Sequence, residues 1–406
     1  MIDYKEIRHQ LHEHPQTAGN EQFAHDLIVR HLQQLHPAKV YTHVGGYGVI
    51  AVWGTSENSK FKIQNSKPTI AFRADTDALP IGHRCGHDGH TAILLRLAEL
   101  IDGVFAEHST LTTDHCTLTT GNNILLLFQP AEETGQGARA VLESGILQQY
   151  NIQAIYALHN IPGYPLGTVV LPGPLGSTSV AEQPCKYTFA AASTGIVFRL
   201  DGRETHASTP ELGINPGLAV AEIIQRVGSG ECIVDSTRGQ ALPTTHYPLS
   251  TNTEAFATLI CVRLGSPAFG TSAGSAEVMF TLRAFTNAAM ERLLADANAA
   301  VDEIANRHRL KVSRSLVEPF RATENTPACV DHIKSLIPHS SFLIKETPFR
   351  WSEDFGEYLQ HFPGAMFGIG SGEHQPELHH PDYDFPDALI EPAARLFLRL
   401  IQLTIQ

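Results

Sequence analysis

Five short segments of the chain offer side chains that bind metals or transfer protons. They are Cys85-Gly86-His87-Asp88-Gly89-His90, Glu132-Glu133, Leu158-His159, Gly202-Arg203-Glu204-Thr205-His206 and Leu378-His379-His380-Pro381. Thiolate, imidazole and carboxylate groups together suit borderline-soft divalent metals such as zinc. No single segment supplies a closed site, but together they carry enough ligands for two metals. Because a two-metal site activates water, the pattern predicts hydrolytic chemistry.

Strand-like and helix-like apolar segments alternate through the first half of the chain. The apolar runs that fit buried strands are Val49–Trp53, Thr69–Phe72, Ile124–Phe128 and Ile155–Leu158. Helical spacing follows at 91–101 and 138–144. This alternation predicts an α/β fold with a largely parallel central sheet. Candidate ligands come just after strand ends, where open α/β sheets place their sites.

The character of the sequence changes near residue 194, and a chain of 406 residues favours two domains. The segments 256–264 and 277–285 alternate like half-exposed strands, and Glu291–Arg307 is an amphipathic helix pattern. We therefore predict a first domain that is split by a smaller α+β domain. The predicted boundaries are 1–193 and 317–406 for the split domain, and 194–316 for the inserted one.

The composition narrows the classes of partner. The formal net charge is −13 and no basic cluster occurs, which argues against nucleic acid or an anionic membrane as a partner. No apolar run approaches the ~18 residues that span a bilayer, and the polar start lacks a signal-peptide core. The six cysteines are widely spread and do not look like a disulfide framework. We expect them to be reduced and the protein to be cytoplasmic.

Eight ordered motifs resemble those of the M20 peptidases, and the similarity covers nearly the whole chain. The first three are Phe72-Arg73-Ala74-Asp75-Thr76-Asp77-Ala78-Leu79-Pro80, Cys85–Thr91 and Phe128-Gln129-Pro130-Ala131-Glu132-Glu133. Five more follow in the family's order: Leu158-His159, Gly173-Pro174-Leu175, Gly202-Arg203 with His206-Ala207, Glu353-Asp354-Phe355 and Leu378–Pro381. The branch that the chain resembles most is subfamily D, which contains hippurate hydrolases, N-acyl amino acid amidohydrolases and auxin-conjugate hydrolases.

This resemblance implies a di-metal catalytic domain interrupted by a smaller lid domain, through which a homodimer would form. It implies that Cys85 is a thiolate ligand that bridges two divalent ions. His87, Glu133, His159 and His379 would complete the two shells. Zinc or manganese is the expected metal, with cobalt as a further possibility.

The resemblance also assigns roles around the metals. Glu132 would be the general base, and His206 of the lid would stabilise the oxyanion, from the same chain or from a partner. Neighbouring side chains of an extended segment point opposite ways, so one glutamate of the pair can bind metal while the other faces water. The spacing alone does not say which glutamate does which.

Four further residues are expected to support the site. Asp77 is a candidate to orient a ligating histidine through its second ring nitrogen, and Asp88 is a candidate for similar support. The family's substrate-binding asparagine in the lid is replaced around residues 270–273. Asn325, which lies in a family-like motif, and Arg283 are therefore candidates for substrate binding.

The predicted activity is metal-dependent hydrolysis of the amide bond of a small N-acyl amino acid. One alternative is an M20-type dipeptidase or carboxypeptidase. The other is a catalytically inactive binding scaffold, against which the full ligand set argues. Taken alone, His379-His380 is typical of an exposed loop and Glu132-Glu133 of a helix start. Only the ordered set predicts one chemistry.

Overall fold

A computed structural model describes residues 3–54, 67–106, 112–113, 116–117, 122–175, 187–228 and 254–403. The sequence predicts a polar hairpin loop at 56–67, and the stretch 177–191 is atypical of the family that the chain resembles. Residues 56–66 and 177–186 of these two segments lie outside the described ranges.

The described chain contains α-helices, short 3-10 helices and β-strands in alternation. The α-helices are α1 Tyr4–Glu13, α2 Gln22–Leu32, α3 His87–Ala106, α4 Gly137–Glu143, α5 Gly217–Gly228, α6 Asn287–Arg307, α7 Pro327–Leu336 and α8 Ile390–Leu403. The 3-10 helices are Leu147–Gln149, Pro210–Leu212, His339–Ser341, Asp354–Gln360 and Asp387–Leu389. The strands are β1 Lys39–Val44, β2 Gly48–Trp53, β3 Pro68–Asp75, β4 Thr112–Thr113, β5 Cys116–Thr117, β6 Asn123–Gln129, β7 Asn151–Pro162, β8 Val169–Pro172, β9 Tyr187–Thr188, β10 Ala192–Asp201, β11 Thr205–His206, β12 Ala255–Leu264, β13 Thr271–Ser272, β14 Ser275–Ala284, β15 Lys311–Phe320, β16 Glu324–Asn325, β17 Phe342–Lys345 and β18 Gly364–Gly372.

The chain divides into two compact units. The first comprises Met1–Phe189, Thr323–Pro348 and Glu353–Gln406, and the second comprises Ala190–Ala322 and Phe349–Ser352. The first unit is built on an eight-stranded sheet of order β1-β2-β6-β3-β7-β18-β8-β17. Its central strands β6, β3, β7 and β18 run parallel to one another, whereas β1 and β2 add antiparallel pairings at one side. The predicted α/β fold with a mainly parallel sheet is confirmed.

Burial explains why the central strands read as continuous apolar runs. Every residue of β2 and β6 is buried, and so is every residue of β3 after Pro68. Parallel strands are covered on both faces, so they show no polar alternation. One core cluster joins these strands to helices α1, α2, α3, α7 and α8.

Several elements extend further than their apolar patterns indicate, among them α3 and β7, whose extensions carry site residues. The helix predicted from residue 91 begins at His87, directly after Gly86, whose φ is 96°. The strand predicted to end at His159 continues to Pro162. His90 of the helix extension lies 2.6 Å from Oδ1 of Asn160 in the strand extension. Because these two buried residues are polar, hydrophobic periodicity alone did not reveal the extensions.

The second unit contains a four-stranded antiparallel sheet of order β12-β14-β10-β15. Alternate residues of β14 are buried, and its inward side chains belong to a second core cluster with helices α5 and α6. Apolar and polar residues alternate in these strands because helices cover one face of the sheet and leave the other exposed. Within the described ranges, no helix combines the length and the apolar character that crossing a bilayer requires.

The aromatic core of the first unit gives a direct test of this fold. Phe72 is fully buried in β3, with its ring centroid 4.9 Å from Phe397 and 5.9 Å from Tyr156. We expect Phe72→Ala to lower the free energy of unfolding by about 3–5 kcal/mol, because it removes buried apolar surface and leaves a cavity. The exposed Phe269 provides the control, and Phe269→Ala should change that free energy by less than about 0.5 kcal/mol. Urea denaturation followed by circular dichroism measures both, and equal midpoints would contradict the packing.

Candidate metal centre

The parallel strands bring the candidate residues to one edge of the large sheet. Asp75 at the end of β3 is paired in register with Gln129 at the end of β6. His159 of β7 is paired with Gly368 of β18. The loops that leave these strands carry the other acidic residues and the thiol. Candidate side chains that are far apart in sequence therefore lie together at the carboxyl ends of the strands, as the open α/β topology predicts.

Cys85 is shared by two groups of three possible metal donors. Its Sγ lies 3.7 Å from Nε2 of His159 and 3.5 Å from Nε2 of His379. Cys85, His87 and His159 form one group, and Cys85, Glu133 and His379 form the other, with all donor atoms of a group within 4.8 Å of one another. The structure thus brings the five predicted ligands together, in an arrangement where one sulfur can serve two ions.

Glu132 lies beside these donors. Its Oε2 is 3.8 Å from Nε2 of His87, and Oε1 of Glu133 is 3.9 Å from the same nitrogen. Glu132 is buried, at 5% exposure. The two glutamates therefore form a further three-donor group with His87, and Glu133 also belongs to the group with Cys85 and His379.

The tautomers of two histidines follow from their hydrogen bonds. Nδ1 of His87 lies 2.9 Å from the carbonyl oxygen of Asp77, and Nδ1 of His159 lies 2.9 Å from the carbonyl oxygen of Asn160. A carbonyl oxygen only accepts, so each Nδ1 must donate its proton. The Nε2 lone pair of each ring then faces the centre, as metal ligation requires.

The electrostatics of the centre favour a cation. Burial, followed by the charge of Glu133, raises the pKa of the Cys85 thiol to about 12. Burial also raises the pKa of Glu133 to about 7, and burial with the charges of Glu353 and Glu133 raises the pKa of Glu132 well above its usual value. Each negative form is disfavoured by desolvation and by its neighbours, and a bound divalent cation reverses both effects.

Two buried atoms strengthen this fit to a metal ion. Nε2 of His87 and Oε1 of Glu133 have no hydrogen-bond partner among the described residues. Buried polar atoms are nearly always bonded, so each unpartnered atom needs an explanation. Both are metal-ligand types, both lie in the donor groups, and a divalent ion would satisfy both.

Asp77 contacts both the second ring nitrogen of His87 and the backbone of the glutamate pair. It holds His87 through its main-chain carbonyl, while its carboxylate accepts the backbone N–H groups of Glu132 and Glu133, each at 3.0 Å. The carboxylate thereby fixes the main chain of both glutamates. The carbonyl oxygen is the nearer partner of the His87 ring, since the closest carboxylate oxygen lies 3.6 Å from the same Nδ1.

His90, which belongs to the first predicted segment, and Asn160, for which the sequence carried no signal, form a buried layer behind the donors. His90 lies between Asp75 and Asn160, with 2.6 Å contacts to a side-chain oxygen of each. Nδ2 of Asn160 donates to the carbonyl oxygen of Cys85 at 3.0 Å. A Cβ atom on Gly86 would lie 2.5 Å from Oδ1 of Asn160. Glycine at 86 is therefore required for this close approach, beside its positive φ.

His379 reaches the centre from an unusual backbone conformation. Its φ is 67°, in the left-handed region that β-carbon-bearing residues rarely adopt. Its backbone N–H donates to the carbonyl oxygen of Arg84 at 2.9 Å. The Arg84 guanidinium donates to the carbonyl oxygen of Tyr383 at 2.7 Å. Arg84 thus braces the segment that carries His379 at two points.

Arg73 lies behind the centre as a fully buried cation. It forms ion pairs with Asp75 at 2.6 Å and with both Glu353 and Asp354 at 2.8 Å. Gln129 bonds both Arg73 and Asp354. Glu353-Asp354 therefore belongs to the charge network of the first unit. The available signal was an arginine inside the apolar run of β3, which is costly to bury unless it is paired.

The remaining predicted residues lie in other environments. The Asp88 carboxylate accepts from Arg8 at 3.1 Å and lies 2.8 Å from Nδ1 of His12, so it ties α3 to α1. Both ends of the Asn325 side-chain amide bond the main chain of Met366, which uses the groups that would bind a substrate.

Two predicted residues belong to the second unit. Arg283 donates to the carbonyl oxygen of Arg350 and to the hydroxyl of Ser352. His206 is exposed, and its Nδ1 lies 2.7 Å from the Ser208 hydroxyl. Its imidazole is therefore accessible as a donor, whereas the Arg283 guanidinium is already engaged.

The chain is similar over most of its length to proteins of known kind. Residues 71–403 match the model of peptidase family M20/M25/M40. A hippurate hydrolase of Campylobacter jejuni is 25% identical over 98% of this chain and 95% of its own length. An N-acetyldiaminopimelate deacetylase of Lacticaseibacillus paracasei is 26% identical over 98% of this chain and 96% of its own length.

A solved structure has the same fold. The Bacillus subtilis YXEP protein, described as a dinuclear metal binding peptidase from the M20 family, superposes with a TM-score of 0.72. The match covers 98% of this chain and 96% of that protein, at 22% identity. Together with the family match over most of the sequence, these relatives establish that the chain belongs to peptidase family M20/M25/M40 and is a hydrolase of amide bonds.

Proposed function

We propose that this protein hydrolyses the amide bond of N-acyl amino acids at a centre for two divalent metal ions. The observation that carries the proposal is Cys85, whose sulfur is shared by two three-donor groups directly beside the buried Glu132. The names of two relatives, hippurate hydrolase and N-acetyldiaminopimelate deacetylase, support the substrate class, because both substrates are N-acyl amino acids.

Each residue of the centre has a proposed task. Cys85, His87 and His159 would hold one ion, and Cys85, Glu133 and His379 the other. When bound, such ions lower the pKa of water and polarise a carbonyl. Asp77 keeps His87 in the required tautomer and holds the backbone of the acid pair. Glu132 takes a proton from the attacking water at its carboxylate and delivers it to the leaving nitrogen.

The second unit contributes a proposed electrostatic role. We propose that His206 donates a hydrogen bond to the oxyanion that develops on the former carbonyl oxygen, from its own subunit or from a partner. Its exposed ring supports this role. We further propose that this unit, at 194–316 in the predicted boundaries, serves as lid and dimerisation domain in a cytoplasmic homodimer.

A substrate panel tests the substrate class. Hippurate, N-acetyl amino acids and unblocked dipeptides are offered to the purified protein with zinc, manganese or cobalt added separately. We expect turnover of the acylated amino acids and release of free amino acid, measured with ninhydrin. Cleavage confined to the dipeptides would assign the protein to the dipeptidases instead, and no cleavage at all would favour a binding scaffold.

Metal removal should abolish this activity reversibly. Each donor group contains a buried atom that has no hydrogen-bond partner in the described part of the chain, so these residues alone cannot replace the ion. We expect dialysis against a chelator to remove turnover and re-addition of one divalent metal to restore it. Metal analysis of the active protein should approach two equivalents per chain. Full turnover by metal-free protein would contradict the proposal.

The Glu132→Gln variant tests whether Glu132 acts as the general base without acting as a metal ligand. The amide cannot accept the proton of water, so we expect kcat to fall by roughly 10²–10⁴-fold. Metal content should remain at the wild-type value, because Glu132 lies outside the two groups that share Cys85. The exposed Glu143 of α4 provides a matched control, and Glu143→Gln should leave kcat unchanged. Wild-type turnover in Glu132→Gln would assign the base elsewhere.

His206→Ala tests the oxyanion donor. Removing one such donor typically lowers kcat by roughly 10²–10³-fold. Metal content should not change, since His206 lies outside the donor groups of the first unit. His206→Gln retains an N–H donor and should recover part of the loss. Equal activity of the alanine variant and the wild type would remove His206 from the mechanism.

A further inference from the structure

The turn that carries the two glutamates is held by its main chain. Three successive backbone N–H groups donate to buried carboxylates from distant parts of the sequence. Ala131 donates to Oε1 of Glu21 at 2.9 Å, and Glu132 and Glu133 donate to the two oxygens of Asp77 at 3.0 Å each. The backbone N–H groups of residues 131–133 are therefore bonded to two carboxylates, those of Glu21 and Asp77.

This turn begins with a strained residue. Ala131 has a φ of 55°, in the left-handed region that costs energy for a residue with a β-carbon. Such conformations persist only where surrounding contacts fix them. The acceptor at the strained residue itself is Glu21, while Asp77 holds the next two positions.

The Glu21 side chain bonds the Ala131 backbone instead of capping its own helix. Glu21 occupies the N-cap position of α2, but its side chain accepts no capping hydrogen bond from that helix. It is 1% exposed, and its second oxygen, Oε2, is buried without a partner among the described residues. Burying a carboxylate is costly, and the contacts that favour its charged form are with the backbone N–H groups of Glu21 itself, Gly19 and Ala131.

We propose that Glu21 is a positioning residue, which fixes the Ala131 backbone so that Glu132 and Glu133 face the centre together. This inference rests on the proposed function of that centre. Glu21 touches neither donor group. It acts through the main chain, on the base and on one of the ligands at once.

Substitutions that remove or retain the acceptor test the role. Glu21→Met fills the same space without an acceptor, whereas Glu21→Gln keeps an oxygen for the Ala131 N–H. Loss of a supporting partner typically costs roughly 10–100-fold in metal affinity or activity. We expect Glu21→Met to lower kcat to this extent with little change in KM, and Glu21→Gln to remain near the wild type.

Metal titration supplies a readout that does not depend on turnover. Glu133 belongs to only one of the two groups that share Cys85. Cobalt titration followed by visible absorption should therefore show one equivalent bound by Glu21→Met as in the wild type, and the second bound roughly 10–100-fold more weakly. If the wild type proves inactive on every substrate, the proposed function fails, but this titration still decides the role of Glu21.

A matched control separates positioning from general stability. Asp102 is also a buried acid in the first unit, and it accepts from the backbone N–H of His36 and the Trp53 indole, outside the donor groups. Asp102→Ala should lower the melting temperature without changing the second cobalt affinity.

If Glu21→Met does not fold, Glu21→Ala takes its place. Equal cobalt affinities and equal kcat in the variant and the wild type would overturn the proposal, as would a Glu21→Gln variant as impaired as Glu21→Met.

Discussion

The centre depends on the burial of several groups that repel one another when charged. A thiol and two glutamates lie together at the edge of the large sheet, and burial disfavours the negative form of each. In the absence of a cation this arrangement is costly, and with one it becomes a strong binding site. The surrounding structure can be understood as the support that keeps these groups together until a cation compensates them.

Much of that support comes from the main chain rather than from contacts between side chains. The Asp77 carbonyl fixes a histidine, the Asp77 carboxylate fixes two glutamates, and the Arg84 carbonyl fixes the backbone of His379. Main-chain bonds leave the functional atoms of the ligands free. They also set the direction of each side chain more rigidly than a single long contact would.

Behind this layer lies a second group of buried charges, in which acidic side chains compensate a buried cation. Arg73 is a permanent cation that is fully enclosed, and its three acidic partners come from two distant parts of the sequence. Breaking a buried pair leaves an uncompensated charge, so this network links the end of β3 to the segment at 353–354. The end of β3 is thereby held by ion pairs that involve none of the residues in the two groups that share Cys85.

The sequence predicted the α/β fold and the set of residues that converge, because apolar runs and ordered motifs report buried strands and ligand types directly. It did not predict where the polar ends of β7 and α3 lie, since Asn160 and His90 interrupt apolar periodicity. Their burial is explained by the contacts that His90 makes with Asp75 and with Asn160, which are distant in sequence. The left-handed backbone of His379 and the Ala131 conformation had no signal, because both arise from long-range contacts. The bonds between the side-chain amide of Asn325, a candidate substrate binder, and the main chain of β18 are likewise long-range contacts that the sequence does not report.

The close approach of Gly86 and Asn160 has a consequence for how this site can vary. Asn160 is bonded to His90, to the Cys85 carbonyl and to the Tyr383 hydroxyl, so it cannot retreat to make room for a larger residue at 86. Any substitution there must be accompanied by changes in several of these neighbours at once. Such a group is expected to evolve as a block, with few viable single-step intermediates, while the exposed loops around it drift freely and alter what the enzyme accepts.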